Sequence, residues 1–405
     1  MTSETDTSPA EALRSDSPLA GLKVIEFTHY VMGPSIGVIL ADLGAEVIKI
    51  EPIEGDPTRR LLGSGAGYFP MYNRNKKSIR VDLRSAAGVK VAADLTRWAD
   101  VVIENFRPGV MTRLGLDYDA LSGANRGLIY CSAKGFLAGP YDQRAALDEV
   151  AQMMSGLAYM TGPPGRPLRA GASVVDVTGG MFGVIGILAA LEQRRRTGRG
   201  QSVDCSLFET AAFLVGQHMA QKAVTGQAAK PMPVRTSAWA IYDVFDTADG
   251  LQVFVGVVSD AQWVSFCEVF DRPAWAQDAS LATNNQRAQA RDRIIPELRL
   301  QFAQLTKAEL LRLAETAKLP FAPVARPEDL ETDPHLLASD GLVRVTAGER
   351  GLADLPALPL RMAGRRAGVR HDVPTAGEHS HEILAGVLGL TRESILALEQ
   401  QGAVA

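Results

Sequence analysis

The sequence predicts an α/β fold, with a parallel β-sheet covered by helices in a large first domain and a smaller α+β domain after it. Three observations carry this expectation. Apolar runs of strand length alternate with runs of helix length through the first half of the chain. The pattern changes after about residue 225 and again near 333. The 405 residues exceed what one core usually holds, since domains run to roughly 100–200 residues.

The elements follow in order. "GLKVIEF" (21–27) is a short apolar run and reads as a buried strand. "GPSIGVILADLGA" (33–45) reads as a helix, with Pro34 suited to its first turn. "EVIKIEP" (46–52) is the next strand, which completes a βαβ unit. The pattern repeats through "SIRVDLR" (78–84), a helix over 86–98, "ADVVIENF" (99–106), a helix over about 109–123 and "GLIYCSAKGF" (127–136). Such alternation implies a parallel sheet with helices on its faces. A helix is expected over about 179–196, ending in arginines with Gly198 beyond, and another within "QSVDCSLFETAAFLVGQHMAQKAV". "WAIYDVFDTADGLQVFVGVV" reads as two strands around an Asp-Gly turn, and "KAELLRLAETA" (307–317) as a helix. The expected boundaries are a flexible polar tail over 1–18, a large domain over 19–225, a small α+β domain over 226–332 and a mixed segment over 333–405 that ends in a helix.

Composition excludes several function classes. A net charge of −4 offers no basic field for nucleic acid or an acidic membrane. Cys131, Cys205 and Cys267 are odd in number, far apart and form no CxxC, so neither a disulfide framework nor a zinc site is expected. The tail lacks the basic and apolar regions of a secretory signal, and the most apolar window, 181–191, is too short to span a bilayer, which needs about 20 residues. A cytoplasmic protein is expected. "THYVMGPS" after the first strand holds one glycine, not GxGxxG, and no Walker motif occurs, so NAD and ATP are poor ligands. His379 and His381 stand two apart and would not share a helix face, so no metal is expected.

Three stretches are candidates for chemistry. "NRNKKSIRVDLR" (73–84) carries Arg74, Lys76, Lys77, Arg80 and Arg84 with almost no local acid, which suits either a solvated strand entrance or an anion site. In "ENFRPGVMTR" (104–113), Asn105 and Phe106 fall at a strand's carboxyl end, where open sheets place ligands. Asn can bond an adenine edge and Phe can stack on it. In "RAGASVVDVTGGMFGVIGILAAL", Asp176 is the only charge after Arg169. It reads either as a helix cap or as an accessible carboxylate, kept ionised by a helix N-terminus and able to act as a nucleophile.

Together these stretches resemble the class III CoA-transferases, a family that includes formyl-CoA transferase and, as a divergent branch, the α-methylacyl-CoA racemases. The resemblance rests on "LAGLKVIEF", "ILADLGAEVIKIEP", "GDPTRR", "NRNKKSI", "ADVVIENFRPGV", "LIYCSAKGF", "DEVAQMMSGLAYMTG", "VVDVTGGM" and "GEHSHEIL", in that order from about residue 19 to 390. It implies a Rossmann-like large domain built from both chain ends, a small inserted domain, and two subunits interlocked as a homodimer. It implies that acyl-CoA and a small carboxylic acid are the substrates, with no prosthetic group. The matching CoA-binding positions are Val31, Met32, Arg84, Asn105, Phe106 and Arg113. The nucleophile falls on Asp176, with an aspartyl anhydride and then an aspartyl-CoA thioester as intermediates. Backbone N–H groups near Gly179 and Gly180 are candidate oxyanion donors, and Arg59, Arg60 and Arg169 candidate holders of a substrate carboxylate.

Two departures bear on the substrate. The racemase histidine position is Leu147, which carries no proton, so racemisation of 2-methylacyl-CoA is disfavoured; a non-catalytic acyl-CoA-binding protein is the other alternative. Val31 replaces a glutamine, Pro52 an arginine, and "VGVVSDAQW" (255–263) lacks the glycine run of formyl-CoA transferase. These changes point away from formate and oxalate and toward a larger acid, such as a dicarboxylate like succinate.

Overall fold

The computed structural model describes residues 17–235 and 237–405. Residues 1–16 of the expected tail lie outside the described residues. Ser17 and Pro18 belong to a turn, where Ser17 packs on Gly44 at φ +109°. The chain divides into two compact units, one comprising the chain up to Pro233 together with Pro334–Ala405, the other Val234–Asp333.

The first unit is a six-stranded sheet wrapped by helices. In chain order it contains β1 (Lys23–Phe27), α1 (Met32–Asp42), β2 (Glu46–Glu51), β3 (Lys76–Arg80), α2 (Ala86–Trp98) and β4 (Val101–Glu104). There follow β5 (Ile129–Lys134), α3 (Asp148–Ser155), α4 (Val174–Thr197), β6 (Ser202–Ser206) and α5 (Leu207–Thr225). The strand order is β3-β2-β1-β4-β5-β6 and every pair is parallel. This is the doubly wound, Rossmann-like order. The central strands are rich in Val and Ile and buried along nearly their whole length, as strands covered on both faces must be.

One face of the sheet packs on α1 and α4 through Ile36, Leu40, Val184 and Ile187. The other packs on α2, on Ser380–Gly386 and on Arg392–Gln400 through Leu95, Ile383, Leu384 and Ile395. Val404 bridges Val81 beside β3, so the chain's end closes that edge.

Several boundaries differ from the sequence expectation. The strand expected at 78–84 runs over Lys76–Arg80. The helix expected at 109–123 is two short ones, Val110–Leu114 and Tyr118–Ser122, because Gly115 adopts φ +66° between them. Ser202–Ser206, unassigned in the sequence, pairs as the sixth strand. The helix expected to begin at 179 begins at Val174. That makes α4 a helix of 24 residues, long and apolar enough to cross a membrane by length and composition, unlike the short window read from the sequence. Here its glycine face packs on α1. A Cβ at Gly179 would lie 2.9 Å from Met32 Cε, at Gly180 2.8 Å from Ser35 Cβ, and at Gly183 2.6 Å from Ile36 Cδ1. Only glycine admits so close a crossing.

The second unit pairs β7 (Tyr242–Asp246) with β8 (Gln252–Gly256) as a hairpin around Asp249-Gly250, with β9 (Phe321–Pro323) on the far side of β8. The helices α6 (Asp260–Val269), α7 (Arg291–Phe302) and α8 (Lys307–Thr316) enclose a core that includes Phe245, Phe266 and Phe302.

Candidate active site

Winding reverses between β1 and β4, and open sheets of this kind place ligands outside the carboxyl ends of the strands at such a switch point. The turn after β1 has Tyr30 at φ +63°, a region that a bulky residue adopts only when its surroundings fix it. Asn105, just past β4, is one such constraint. Its Oδ1 accepts from His29 N at 3.0 Å and its Nδ2 donates to His29 O at 2.8 Å. Gly33 permits the approach, since a Cβ there would lie 3.0 Å from Asn105 Cγ. The Asn105 amide clamps the turn's main chain, and the half-buried side chain keeps one further N–H and one further lone pair. Phe106 is half-buried, its ring centroid 5.7 Å from that of His29. Val31 and Met32 are 1% and 4% exposed, main chain included, so both are packed beneath the surface at the end of the turn. Arg84 and Arg113 are exposed at the same edge of the sheet, Arg84 with Asp82 at 2.8 Å.

The basic run is neither a solvated entrance nor an anion site at its first two cations. Arg74 is buried and forked onto Asp42, and Lys76 is buried against Glu26. Lys77 binds Glu46 and Glu382, each at 2.8 Å. The missing acids come from distant parts of the chain. Arg59 is likewise committed: it holds Glu51 with Nε and Nη2, donates to Pro374 O and lies 3.6 Å over the Phe69 ring. With its fork filled, Arg59 is not free for a substrate carboxylate, which corrects that expectation. Arg60 donates to Glu54 O at 2.7 Å.

Asp176 is the third residue of α4. It is therefore inside the first turn and does not cap the helix. The cap is Asp148, whose Oδ2 accepts from Val175 N at 2.8 Å and Asp176 N at 3.1 Å. Asp148 is 3% exposed, and Gln152, one turn along α3, donates to its other oxygen. Gln152 Oε1 in turn accepts from Ala170 N at 2.9 Å. Arg169 pairs with Glu149, lies 3.6 Å from Asp148, and donates to Ala170 O and Ala172 O. It ties down the loop that leads into α4. Its guanidinium is taken up by these partners, which corrects its reading as a free carboxylate holder.

The electrostatics of Asp176 also correct an expectation. Burial, then the charges of Asp148 and Glu149, push its carboxyl from 3.8 up to about 7, against the smaller opposing pull of Arg169. With the nearest helix amides bonded to Asp148, desolvation and like charge outweigh the helix terminus. Tyr72 lies near enough for the Asp176 charge to act on it; burial first, then that charge, raise its phenol to about 12. Gly179 and Gly180 do not supply oxyanion donors. They sit beyond the first turn of α4, where N–H groups bond to carbonyls four residues back, and their role is close packing on α1. Leu147, exposed, immediately precedes Asp148 at the N-terminus of α3.

The "EHSHE" segment is structural. His379 Nδ1 accepts from Ser78 N at 3.3 Å, and Ser380 Oγ donates to Ala405 O at 2.6 Å, which fastens the C-terminus to β3. Among the described residues no group of three His, Cys, Asp or Glu side chains is placed to hold a metal.

The chain matches the family model described as CoA-transferase family III over residues 19–380. It belongs to CoA-transferase family III. Mouse (Mus musculus) succinyl-CoA:glutarate CoA-transferase is 31% identical over 98% of this chain and 92% of its own. The formyl-CoA:oxalate CoA-transferase of Streptomyces avermitilis is 32% identical over 95% of this chain and 99% of its own. A solved CAIB/BAIF family protein from Brucella suis superposes with a TM-score of 0.80 at 33% identity, covering 92% of this chain and 99% of that one. This family III CoA-transferase is an enzyme whose substrates are CoA thioesters. Asp148, Gln152 and the buried Glu26 cluster escaped the sequence reading. For Asp148 and Gln152 the available signal was their i, i+4 spacing at the start of a helix.

Proposed function

We propose that this enzyme moves CoA from an acyl-CoA to a free carboxylate through covalent intermediates on Asp176. The observation that carries the reading is the Asp176 carboxyl itself. It is partly accessible, braced through its main chain by Asp148, one helical turn before the glycines that pack on α1, and poised near neutrality. A carboxylate of raised pKa is more basic and so more nucleophilic once ionised.

Asp176 attacks the thioester carbonyl. The C–S bond breaks, a mixed aspartyl-acyl anhydride forms and CoA thiolate departs. The thiolate attacks the aspartyl carbonyl, which gives an aspartyl-CoA thioester and frees the donor acid. The acceptor carboxylate attacks that thioester, a second anhydride forms, and the returning thiolate cleaves it to the new acyl-CoA and ionised Asp176. Charge and atoms balance at every step without an added reductant or metal.

Acyl-CoA is assigned to the carboxyl ends of β1, β3 and β4. Arg84, Phe106 and Arg113 would meet it, with the buried Val31 and Met32 shaping the turn beneath, while Asn105 acts through the turn. In the first turn of α1, Pro34 has no N–H and Ser35 N is bonded to Val31 O, so the amides of Met32 and Gly33 are the ones that would meet a phosphate. A dicarboxylate such as succinate or glutarate is the proposed acid, in keeping with relatives named for succinyl-CoA and glutarate. The chain is read as one subunit of a homodimer, which the exposed apolar side chains of α4 and α5 support.

The test is to trap the intermediate. Wild type and Asp176→Ala are incubated with succinyl-CoA and other acyl-CoAs, quenched with hydroxylamine and mapped by peptide mass spectrometry. A hydroxamate on Asp176, absent from the variant, is the expected result. Transfer activity retained by Asp176→Ala would sink the mechanism.

A further inference from the structure

The turn between β1 and α1 rests on a buried charge cluster that the reaction scheme does not use. At its centre is Glu26 of β1, 0% exposed. Lys49 of β2 and Lys76 of β3, also 0% exposed, both reach its carboxylate. Lys76 Nζ lies 2.8 Å from Oε2, and Lys49 Nζ 3.4 Å from Oε1. Each lysine has a second hold on a main-chain carbonyl. Lys49 donates to Thr28 O at 2.6 Å and Lys76 to Pro34 O at 3.1 Å. Thr28 opens the turn and Pro34 lies in the first turn of α1, so the two holds bracket the 28–34 segment. Asp56 completes the pairing of Lys49 at 2.9 Å, and Gly37 makes room, since a Cβ there would lie 1.7 Å from Glu26 Oε2.

Buried ion pairs are weak stabilisers, because desolvation offsets their attraction. Their better-attested use is to fix one geometry. What this cluster fixes is a segment with a non-glycine residue, Tyr30, in the left-handed region. Asn105 clamps the middle of that segment from the side of β4. We infer that Glu26, with Lys49 and Lys76, is a positioning unit that sets the 28–34 turn in the shape that receives acyl-CoA. The inference rests on the assignment of that turn to acyl-CoA made above.

The test uses the full-length double variant Glu26→Gln/Lys76→Met, which removes one charge of each sign and releases Pro34 O. Three readouts are taken on the folded protein: peptide-level hydrogen exchange over 28–34, KM for acyl-CoA, and KM for the acceptor acid. The expected result is faster exchange and an acyl-CoA KM raised roughly ten- to hundredfold, as for a misplaced binding element, with the acceptor KM little changed. Adding Tyr30→Gly, which takes positive φ without steric cost, should recover part of the loss relative to Tyr30→Gly alone. A general packing defect would not be rescued in this way. Unchanged exchange in a folded variant overturns the positioning inference. Faster exchange with an unchanged acyl-CoA KM overturns instead the assignment of the turn to acyl-CoA. Should the double variant not fold, Lys49→Met/Asp56→Asn releases the Thr28 end and is read by the same criteria.

Discussion

A carboxyl group held near neutral pH is half spent as a nucleophile at pH 7, and that cost has an identifiable origin at Asp176. Burial is the largest contribution and Asp148 the next. Asp148 is needed there, because its carboxylate satisfies two amides at the start of α4. The residue that orders the helix of the proposed nucleophile thus also makes its carboxyl harder to ionise. The sign of the pH dependence follows. Below about pH 7 the carboxyl is protonated and inert, so kcat/KM for the acyl-CoA should rise about tenfold per pH unit and level off above 7. Asp148→Asn keeps an oxygen for the amides but removes a charge that raises the pKa, so its midpoint should move to lower pH. A pH–rate profile of the two proteins checks both statements. A wild-type midpoint near that of an ordinary aspartate would refute the burial argument.

At the scale of elements, the crossing of α1 and α4 sets where the first turn of α4, with Asp176, stands beside α1, and glycine sets its distance. Gly180→Ala gains about 1 kcal/mol of helix propensity. Against this, the new methyl would lie 2.8 Å from Ser35 Cβ and 3.0 Å from Met32 O, a backbone atom that cannot swing away. Such overpacking costs typically about 1–3 kcal/mol, so a net loss of stability and of kcat is expected. Gly386→Ala, at the exposed end of the Ser380–Gly386 helix, meets nothing within 4 Å and should stabilise. Thermal melts of the two variants should move in opposite directions. The same elements show what was legible in the sequence. β1, β2, β4 and α2 stand out because their apolar runs are periodic and locally bounded; Ser85 even caps α2 from the adjacent position. The start of α4 did not, since Val174-Val175 is a short apolar run before a Gly-Gly pair and the cap lies on another helix, 27 residues earlier at Asp148. β6 was hidden because "SVDCS" is an edge strand with only part of its length buried.

For the whole molecule, the partners of the buried charges are the part no local window shows. Lys76 meets Glu26 across 50 residues and Arg74 meets Asp42 across 32, so a run that reads as unpaired cations is neutralised on folding. The converse holds for apolar surface. α4 and α5 are apolar on faces that the described residues do not cover: Ile185 is 59% exposed, Phe213 72% and Met219 68%. Single exposed apolar residues are ordinary, but a cluster of this kind on two adjacent helices marks a surface built to be covered. A helix apolar on all sides needs burial on all sides. A second copy of the chain is the proposed cover, so light scattering during size exclusion should give twice the chain mass at micromolar concentration. Phe213→Asp places a charge within that patch, where burying it unpaired is costly. It should shift the protein toward single chains while leaving each chain folded by circular dichroism. A wild-type protein that elutes at the mass of one chain would mean that something other than a second copy covers these helices.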